Sequence, residues 1–588
     1  MEWSLKELYD SFDSQMYQDD LQSIKQLAVE VEEFAQQELT TIENSVEKCE
    51  KVIRYNEKVS YLIVKTATYA SLVNAAQADN EQSLYYLNHV QELSNEFVKP
   101  NVAFQIFLKQ IDDLDGVIQS SEFLKNYAFY LKEIKEKSNY LLSEKEEMLI
   151  SKMVMSGSTA WSNLQNKISS TLNVDIELEG ELKQLPLPAI RNLAYHSDPI
   201  VRKAGYDAEM VAYKQIEESS AAAINAIKGE VNTLTAWRGY DSALDETLLK
   251  SRLDKESLDA MLVAIEEALP SFHQYYKHKA KLLNHTNGLP FYELFAPIKE
   301  TSLTYTYKEA MDYIIKQFAT FSDELAAYTK HAYDHKWLDV TPRAKKRGGA
   351  FCSNIHPIKE SRILSNFDGS FSNLTTLAHE LGHGYHGYQL KDESILNSRY
   401  PMPLAETASI FCETIVINAA KNQASEQEKI AILESSISDA GQVIVDIYSR
   451  YLFESSVFDK RKAGVLSVNQ LKELMMDAQK KAYGDGLDHD VLHPYMWLNK
   501  PHYYSAGLSF YNFPYAFGLL FSKGLYAQYL NEKERFVEKY DRLLKATGKN
   551  NIKDVAKMAD VDISNPAFFR QSLELIKQDI EEFIALTS

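Results

Sequence analysis

Glycine and proline are scarce in this sequence. Only 21 glycines and 15 prolines stand among its 588 residues, roughly half the usual share for a globular protein. Both residues mark turns, so their deficit argues against a fold of many short strands joined by tight turns. We expect a mainly α-helical protein. A chain of this length also exceeds what one hydrophobic core supports, which predicts two to four lobes with a cleft between them.

Cysteine is nearly absent as well. Cys49, Cys352 and Cys412 lie far apart and form no C-x-x-C pair, which excludes a disulfide framework and a cysteine-based metal or redox site. The sequence shows no basic segment followed by an apolar run at its start, and no charge-free stretch long enough to cross a bilayer. These features predict a cytoplasmic protein with reduced thiols and no membrane contact.

Positive charge is in deficit. The 63 lysines and arginines face 83 aspartates and glutamates, which gives a net charge of −20. Such a chain repels nucleic acid and anionic lipid, so neither is expected as a partner. Peptides and small molecules fit better, and the composition does not indicate an oligomeric state.

A proline-rich break divides the chain. Amphipathic helical patterns fill residues 1 to about 195. Two prolines interrupt this pattern within Leu185–Pro188, where a new helix is expected to start. We therefore predict an N-terminal helical lobe over residues 1–195 and a second domain over residues 196–588.

The residue pattern of the sequence changes after residue 347. Gly348–Ser353 and Arg362–Phe367 combine small, polar and apolar residues and predict a small β-hairpin. Turn and N-cap residues follow at Asp368–Ser370, and they predict a helix over residues 371–390. Strand signals are otherwise rare in this chain, so the hairpin beside this helix is conspicuous.

The predicted helix carries His379-Glu380-Leu381-Gly382-His383. At about 100° per residue the two histidines lie one turn apart on one face, where both can bind one zinc ion, with Glu380 beside them. This H-E-x-x-H spacing is typical of zinc hydrolases in which the glutamate is the general base. The structural alternative is a pair of surface histidines next to an ion-paired glutamate.

A catalytic zinc also needs a third protein ligand. His386 lies on the same helix face but about 10 Å along the axis from His379, too far for one ion to bind all three histidines unless the helix breaks. Glu406 is the other candidate, because the prolines of Pro401–Pro403 predict a new helix with Glu406 in its first turn. Glu413, two turns farther on that face, suits a partner for a ligand histidine. Spacing alone also allows both to be ordinary helix carboxylates.

Three separated segments together resemble one known family. Ile363–Gly369 leads into His379–His383, Glu406–Glu413 follows, and Pro501–Gly518 is rich in aromatic residues. These segments are similar to those of the thimet oligopeptidase and oligoendopeptidase F family of zinc peptidases, most of all to its oligoendopeptidase F branch. The resemblance implies a two-lobed, zincin-like helical fold with a deep substrate channel, covered by the N-terminal lobe. It also implies one zinc ion, bound by both histidines and Glu406.

The aromatic segment offers chemistry of its own. When water attacks a peptide carbonyl an oxyanion develops, and a phenolic hydroxyl or an imidazole N–H can stabilise it. Tyr511 and Tyr515 are four residues apart and His502 precedes them, so these three are the candidate donors. Pro514 leaves open whether the tyrosines share a helix face. In a chain with 36 tyrosines, packing is the alternative role.

The sequence thus predicts a zinc-dependent endopeptidase that hydrolyses internal bonds of short, unstructured oligopeptides. Zinc activates the attacking water, and Glu380 accepts its proton and delivers it to the leaving amine. A strand at Gly348–Phe351 is expected to pair with the extended substrate. Two alternatives remain: a zinc carboxypeptidase of related helical fold, and a non-enzymatic helical scaffold that binds no metal.

Overall fold

The protein is mainly α-helical, as predicted. A computed structural model describes residues 2–299 and 303–588, and 70% of the chain is helical with only small sheets. The helices, in chain order, are α1 Gln15–Glu38, α2 Ser45–Ala76, α3 Glu81–Asn95, α4 Val98–Gln110, α5 Leu114–Gln119, α6 Glu122–Lys125, α7 Ala128–Ser138, α8 Glu144–Ser156, α9 Ser158–Ser170, α10 Leu187–Asn192, α11 Pro199–Tyr213, α12 Glu217–Arg238, α13 Ala243–Lys250, α14 Lys255–Leu282, α15 Tyr307–Ala319, α16 Asp323–Asp334, α17 Phe371–Gln389, α18 Met402–Ala405, α19 Thr407–Gln423, α20 Glu426–Gly441, α21 Ile447–Ala463, α22 Val468–Tyr483, α23 Phe513–Glu532, α24 Glu534–Ala546, α25 Ile552–Lys557 and α26 Pro566–Thr587.

The described residues form two compact units, each built from three separate stretches of chain. Unit 1 comprises residues 2–141, 303–419 and 528–561, and unit 2 comprises residues 142–299, 420–527 and 562–588. This division by contacts does not coincide with the break near residue 195. The assignment of residues 1–195 to a covering lobe and of residues 196–588 to a catalytic domain stays a prediction.

A β-hairpin interrupts the helices that the sequence predicts up to residue 195. Its strands, β1 Asn173–Leu178 and β2 Glu181–Pro186, pair antiparallel. Glu179 and Gly180 form the turn, and both have positive φ angles, 55° and 80°, as a type I′ hairpin turn requires. The expectation of helix alone is therefore wrong for this stretch, and α10 begins directly after it at Leu187.

A three-stranded sheet in unit 1 supports the site. It consists of β3 Leu338–Asp339, β4 Phe351–Ile355 and β5 Glu360–Leu364 in the order β3-β5-β4. β4 runs antiparallel to β5, which confirms the predicted hairpin, and β3 runs parallel to β5. β4 begins at Phe351 rather than at Gly348 and forms one edge of the sheet.

The helix α17 packs against β4 and β5. The side chain of Ser370 caps it by accepting a hydrogen bond from the backbone N–H of Asn373. Leu374, Leu377 and Leu381 are completely buried, and their spacing gives the helix an apolar face toward the core. The helix predicted over residues 371–390 is therefore confirmed to within one residue.

Distant stretches of the chain hold this part of unit 1 in place. The buried guanidinium of Arg362 in β5 donates to the carbonyl oxygen of Ser4 at 2.6 Å. On α17, the hydroxyl of Tyr385 donates to the carboxylate of Asp541 at 2.8 Å. The sheet and the helix are thus fastened to residues near the beginning of the chain and to residues beyond 528.

Candidate active site

The two histidines of H-E-x-x-H stand side by side on α17. The ring centroids of His379 and His383 are 4.9 Å apart, and the ring planes are nearly perpendicular, at 80°. Both rings are mostly buried, with about a fifth to a quarter of each side chain exposed. The one-turn separation expected from the sequence is therefore present.

Glu406 brings a carboxylate to both histidines. Its Oε2 lies 3.2 Å from Nε2 of His379 and 3.4 Å from Nε2 of His383. The hydroxyl of Ser409 donates to the same oxygen at 2.7 Å. Candidate ligand atoms of His379, His383 and Glu406 all lie within 4.8 Å of one another. This arrangement can hold one metal ion.

The backbone around Glu406 differs from the prediction of one continuous helix. The short α18 ends at Ala405, and Glu406 follows with φ −88° and ψ 4° before α19 begins at Thr407. Its carbonyl oxygen still accepts a helical hydrogen bond from Ile410. Glu406 therefore stands at the junction of two helices rather than inside the first turn of one.

Gly382 lets α17 and α19 approach each other closely. A Cβ atom at this position would lie 2.5 Å from the carbonyl oxygen of Ala408 and 2.6 Å from Cα of Ser409. Both obstacles are backbone atoms, so only glycine fits without a shift of one helix. This contact lies next to Glu406 in the chain, and the close approach allows its carboxylate to reach the histidines.

Further hydrogen bonds orient the histidines. Nδ1 of His379 lies 3.0 Å from Oε2 of Glu413, the contact that the sequence suggested for Glu413. The backbone carbonyl of Ala405 accepts a hydrogen bond from His383, and Asn354 of β4 donates to the backbone carbonyl of His383 at 2.9 Å. Such partners fix the ring orientation of metal-binding histidines. Here the contacts of the rings with Glu413 and Ala405 leave both Nε2 atoms facing Glu406, while Asn354 holds the backbone of His383.

The three candidate ligands perturb one another's pKa values. Burial by itself lowers the pKa of His379, but hydrogen bonds to Glu406 and Glu413 outweigh it and raise the pKa to about 10. Burial by itself raises the pKa of Glu406, whereas His379 and His383 lower it to about 2. Burial and the charge of His379 lower the pKa of His383 to about 4. Of the three groups, only His379 has a pKa above neutral pH, so it is the one whose proton a metal cation must displace in order to bind.

Glu380 is the fourth polar group of this cluster. It is buried, with 7% of its surface exposed, and the backbone N–H of Cys352 in β4 donates to its carboxylate. Its Oε2 has no hydrogen-bond partner among the described residues. Burial, helped by the negative charge of Glu406, raises the pKa of Glu380 to about 7. A carboxylate with such a pKa suits proton transfer at neutral pH.

His386 points away from this cluster. Its ring is completely buried and stacks on Tyr400 with 3.9 Å between centroids. Its Nε2 lies 2.9 Å from the hydroxyl oxygen of Thr547. The ring thus has a packing role in this structure, which agrees with the geometric argument against it as a ligand.

The three aromatic candidates belong to unit 2. Tyr511 precedes α23 and Tyr515 lies in its first turn, because the helix begins at Phe513. The two hydroxyl oxygens are nevertheless 3.0 Å apart, and the ring of His502 lies 5.7 Å from that of Tyr511. Burial, followed by the charge of Arg450, lowers the pKa of His502 to about 3. The three side chains meet one another, while their part in the metal site of unit 1 stays a prediction.

Sequence reasoning missed the contributions of β4 to this site. The backbone of Cys352 reaches Glu380, and the side chain of Asn354 reaches His383. Ser361 of β5 donates to Asn354 at 2.7 Å, which fixes the amide. The predicted hairpin next to the helix was the one signal in the sequence that could have indicated these contacts.

An H-E-x-x-H helix with a carboxylate as the third candidate ligand, supplied from the junction of two neighbouring helices in a mainly helical fold, defines a metal-dependent peptidase. Residues 192–575 match the sequence model of Peptidase family M3, and residues 110–173 match that of Oligopeptidase F. The chain belongs to peptidase family M3. The resemblance to oligoendopeptidase F is therefore confirmed, and the protein is a metallo-oligopeptidase.

Named relatives cover nearly the whole chain. Oligopeptidase PepF of Bacillus subtilis is 26% identical over 99% of this chain and 86% of its own length. An oligoendopeptidase F homolog of Lactococcus lactis is 25% identical over 91% of this chain and 90% of its own.

Two solved structures share the fold. A peptidase from Chlamydophila abortus superposes with a TM-score of 0.86 at 21% identity, covering 99% of this chain and 98% of its own. Oligoendopeptidase-F from Enterococcus faecium gives 0.71 at 20% identity, covering 97% and 99%. These likenesses extend over both units.

None of the helices in the described part of the chain is long and apolar enough to cross a membrane. The predicted cytoplasmic location and the predicted lack of nucleic-acid and membrane partners stay predictions.

Proposed function

We propose that this metallo-oligopeptidase is a zinc-dependent endopeptidase that cleaves short, unstructured peptides. The observation that carries the proposal is the convergence of His379, His383 and Glu406, with the carboxylate of Glu380 beside them. Two imidazole nitrogens and one carboxylate oxygen are the donors of known catalytic zinc sites, which keep a fourth position open. Both histidines present Nε2 because their other contacts are already fixed, so the residues present fit zinc.

Zinc bound there would supply Lewis-acid polarisation of the scissile carbonyl and would lower the pKa of water. The chain itself supplies the proton transfers. Glu380 keeps one carboxylate oxygen in place through the backbone of Cys352, and its Oε2 is free of protein partners among the described residues. This oxygen accepts a proton from the attacking water and delivers it to the leaving amine.

Two further roles complete the proposal. Tyr511, Tyr515 and His502 are assigned to stabilising the oxyanion, since two hydrogen-bonded phenols and a neutral imidazole offer donors that do not attack the substrate. β4 is assigned to binding the substrate backbone. It pairs with β5 on one side, which leaves its other edge for an extended peptide.

Glu380→Gln tests the proton-transfer role. The amide keeps the shape of the carboxylate but cannot accept the proton, so we expect zinc to stay bound at one ion per chain while kcat falls about 10²–10⁴-fold. Glu96→Gln is the matched control, because Glu96 is exposed. A Glu380→Gln variant with more than a few per cent of the wild-type kcat would show that another group is the base.

Product analysis separates the proposal from its two alternatives. An endopeptidase cleaves an internally quenched peptide whether or not its ends are blocked. A carboxypeptidase requires a free C-terminal carboxylate and releases terminal residues. A non-enzymatic scaffold contains no stoichiometric zinc by elemental analysis and cleaves neither substrate.

A further inference from the structure

Unit 2 contains a cavity of about 330 Å³ that no role proposed so far involves. It is lined by α10, α11, the start of α21 and the segment that ends at Lys500. Its volume equals roughly eleven water molecules at about 30 Å³ each, the lower end of the range for small-molecule sites. Neither the metal-site residues nor the aromatic trio line it.

The charges around this cavity do not balance. Arg202 is neutralised by Glu293, with 2.6 Å between guanidinium and carboxylate. The remaining charged side chains on the wall are three cations and two carboxylates, which leaves one positive charge without a counterpart when Lys500 is protonated. They are Arg191, Arg450, Lys500, Glu209 and Asp446.

Lys500 is the cation without a partner. Its ammonium makes no hydrogen bond or ion pair with any residue that the structure describes. Two completely buried lysines of unit 2 are paired, with 2.6 Å between Lys228 and Glu454 and 2.7 Å between Lys279 and Glu434. Burial and the nearby charge of Arg450 lower the pKa of Lys500 to about 7. Lys500 is only partly buried, but an ammonium on a cavity wall that pairs with no carboxylate is a suitable partner for an anionic ligand.

Arg450 adds a second unmet donor. Its Nη2 donates to Asp446, but its Nε has no partner among the described residues. The wall also carries the rings of Tyr195 and Phe295, which are stacked 5.0 Å apart. The cavity therefore combines cationic donors with an apolar surface.

We propose that this cavity binds a small organic monoanion, with its carboxylate between Lys500 and Arg450 and an apolar or aromatic body against Tyr195 and Phe295. A single negative charge on the ligand would balance the extra cation of the wall. The aromatic surface favours an organic carboxylate over an inorganic anion, which would leave that surface without contact. Arg450 and Lys500 also lower the pKa of His502, but none of the residues assigned to the peptidase chemistry lines this cavity.

Titration calorimetry of the zinc-loaded protein with three probes tests this proposal. We expect phenylacetate to bind, and its neutral analogue phenylacetamide to bind at least about tenfold more weakly, because it cannot compensate the charge. Inorganic phosphate, the third probe, should also bind more weakly than phenylacetate. Tighter binding of phosphate, or equal binding of the acid and the amide, would overturn the proposal.

Substitutions of Lys500 test whether phenylacetate binds in this cavity. Lys500→Met should weaken phenylacetate binding at least about tenfold, while Lys255→Met, which removes a surface lysine outside the cavity wall, should not. Lys500→Gln is a second variant in case methionine disturbs folding, and thermal unfolding of each variant checks the fold. Phenylacetate binding that both Lys500 variants retain, or that is lost with the zinc, refutes the site without affecting the peptidase proposal.

Discussion

Gly382→Ala tests whether the contact between α17 and α19 sets the metal site. The new Cβ would stand 2.5 Å from the carbonyl oxygen of Ala408, where ordinary contact begins at 3.4 Å. The shortfall is about 0.9 Å, and backbone cannot swing aside as a flexible side chain does. One helix must therefore move, and Glu406 moves with α19.

This displacement is large on the scale of metal coordination. Zinc binds nitrogen and carboxylate oxygen at about 2.0–2.2 Å, with a tolerance near 0.2 Å. We expect zinc affinity to fall about 10–100-fold and kcat/KM to fall about 10²-fold. The free energy of unfolding should fall only slightly. Overpacking costs about 1–3 kcal/mol, and alanine regains about 1 kcal/mol over glycine inside a helix, so the net loss is about 0–2 kcal/mol.

Competition with a chromogenic zinc chelator measures the affinity, and a quenched peptide measures kcat/KM. Gly229→Ala is the matched control, because Gly229 also lies inside a helix, α12, and its added Cβ would meet the end of the flexible Arg461 side chain. The control should keep wild-type zinc affinity. If Gly382→Ala also keeps it, with unchanged activity, the helix contact does not position Glu406 and this reasoning fails.

Four further outcomes are expected. Glu413→Gln should lower zinc affinity about 10–100-fold, measured by chelator competition, because the amide holds the ring of His379 less firmly than the carboxylate does. Glu406→Ala should lose zinc on dialysis, whereas His386→Ala should retain zinc but unfold at a lower temperature; the reverse pattern of metal content would exchange their roles. Tyr511→Phe or Tyr515→Phe should lower kcat about 10²–10³-fold with little change in stability. An unaltered kcat in both single variants and in the double variant would mean that these tyrosines have only a packing role. One cleavable sequence embedded in progressively longer unstructured chains should be cut with falling kcat/KM, and a rate independent of length would contradict an enclosed channel.

Local features of the site were predictable from the sequence. The bounds of α17 follow from the cap at Ser370 and from the apolar spacing of its leucines, both of which act within a few residues. The shared face of His379 and His383 follows from helix geometry alone. For Glu406, spacing left two possibilities, and the resemblance to a family favoured its role as a ligand.

Features that depend on distant packing were not predictable. Nothing in Cys352 or Asn354 indicates which helix a short strand will lie against, because that contact is decided by tertiary structure. The sequence of the hairpin at residues 173–186 did contain a turn signal, because Glu179-Gly180 lies between two segments of alternating apolar and polar residues. The helical patterns before and after the hairpin made this signal hard to recognise. Likewise, the prolines near residue 186 mark a local break in the chain, whereas compact units depend on contacts between residues hundreds of positions apart.

The support of α17 by the last stretch of unit 1 has a consequence for protein synthesis. Asp541, which binds Tyr385, lies 156 residues later in the chain, and Thr547, which binds His386, lies 161 residues later. At about 5–20 residues per second, translation reaches these partners roughly 8–32 s after the metal-binding helix. A nascent chain thus carries the ligands of the site before it carries the packing that fixes them. A chain terminated before Asp541 lacks both contacts, so we expect its metal-binding helix to be less firmly held.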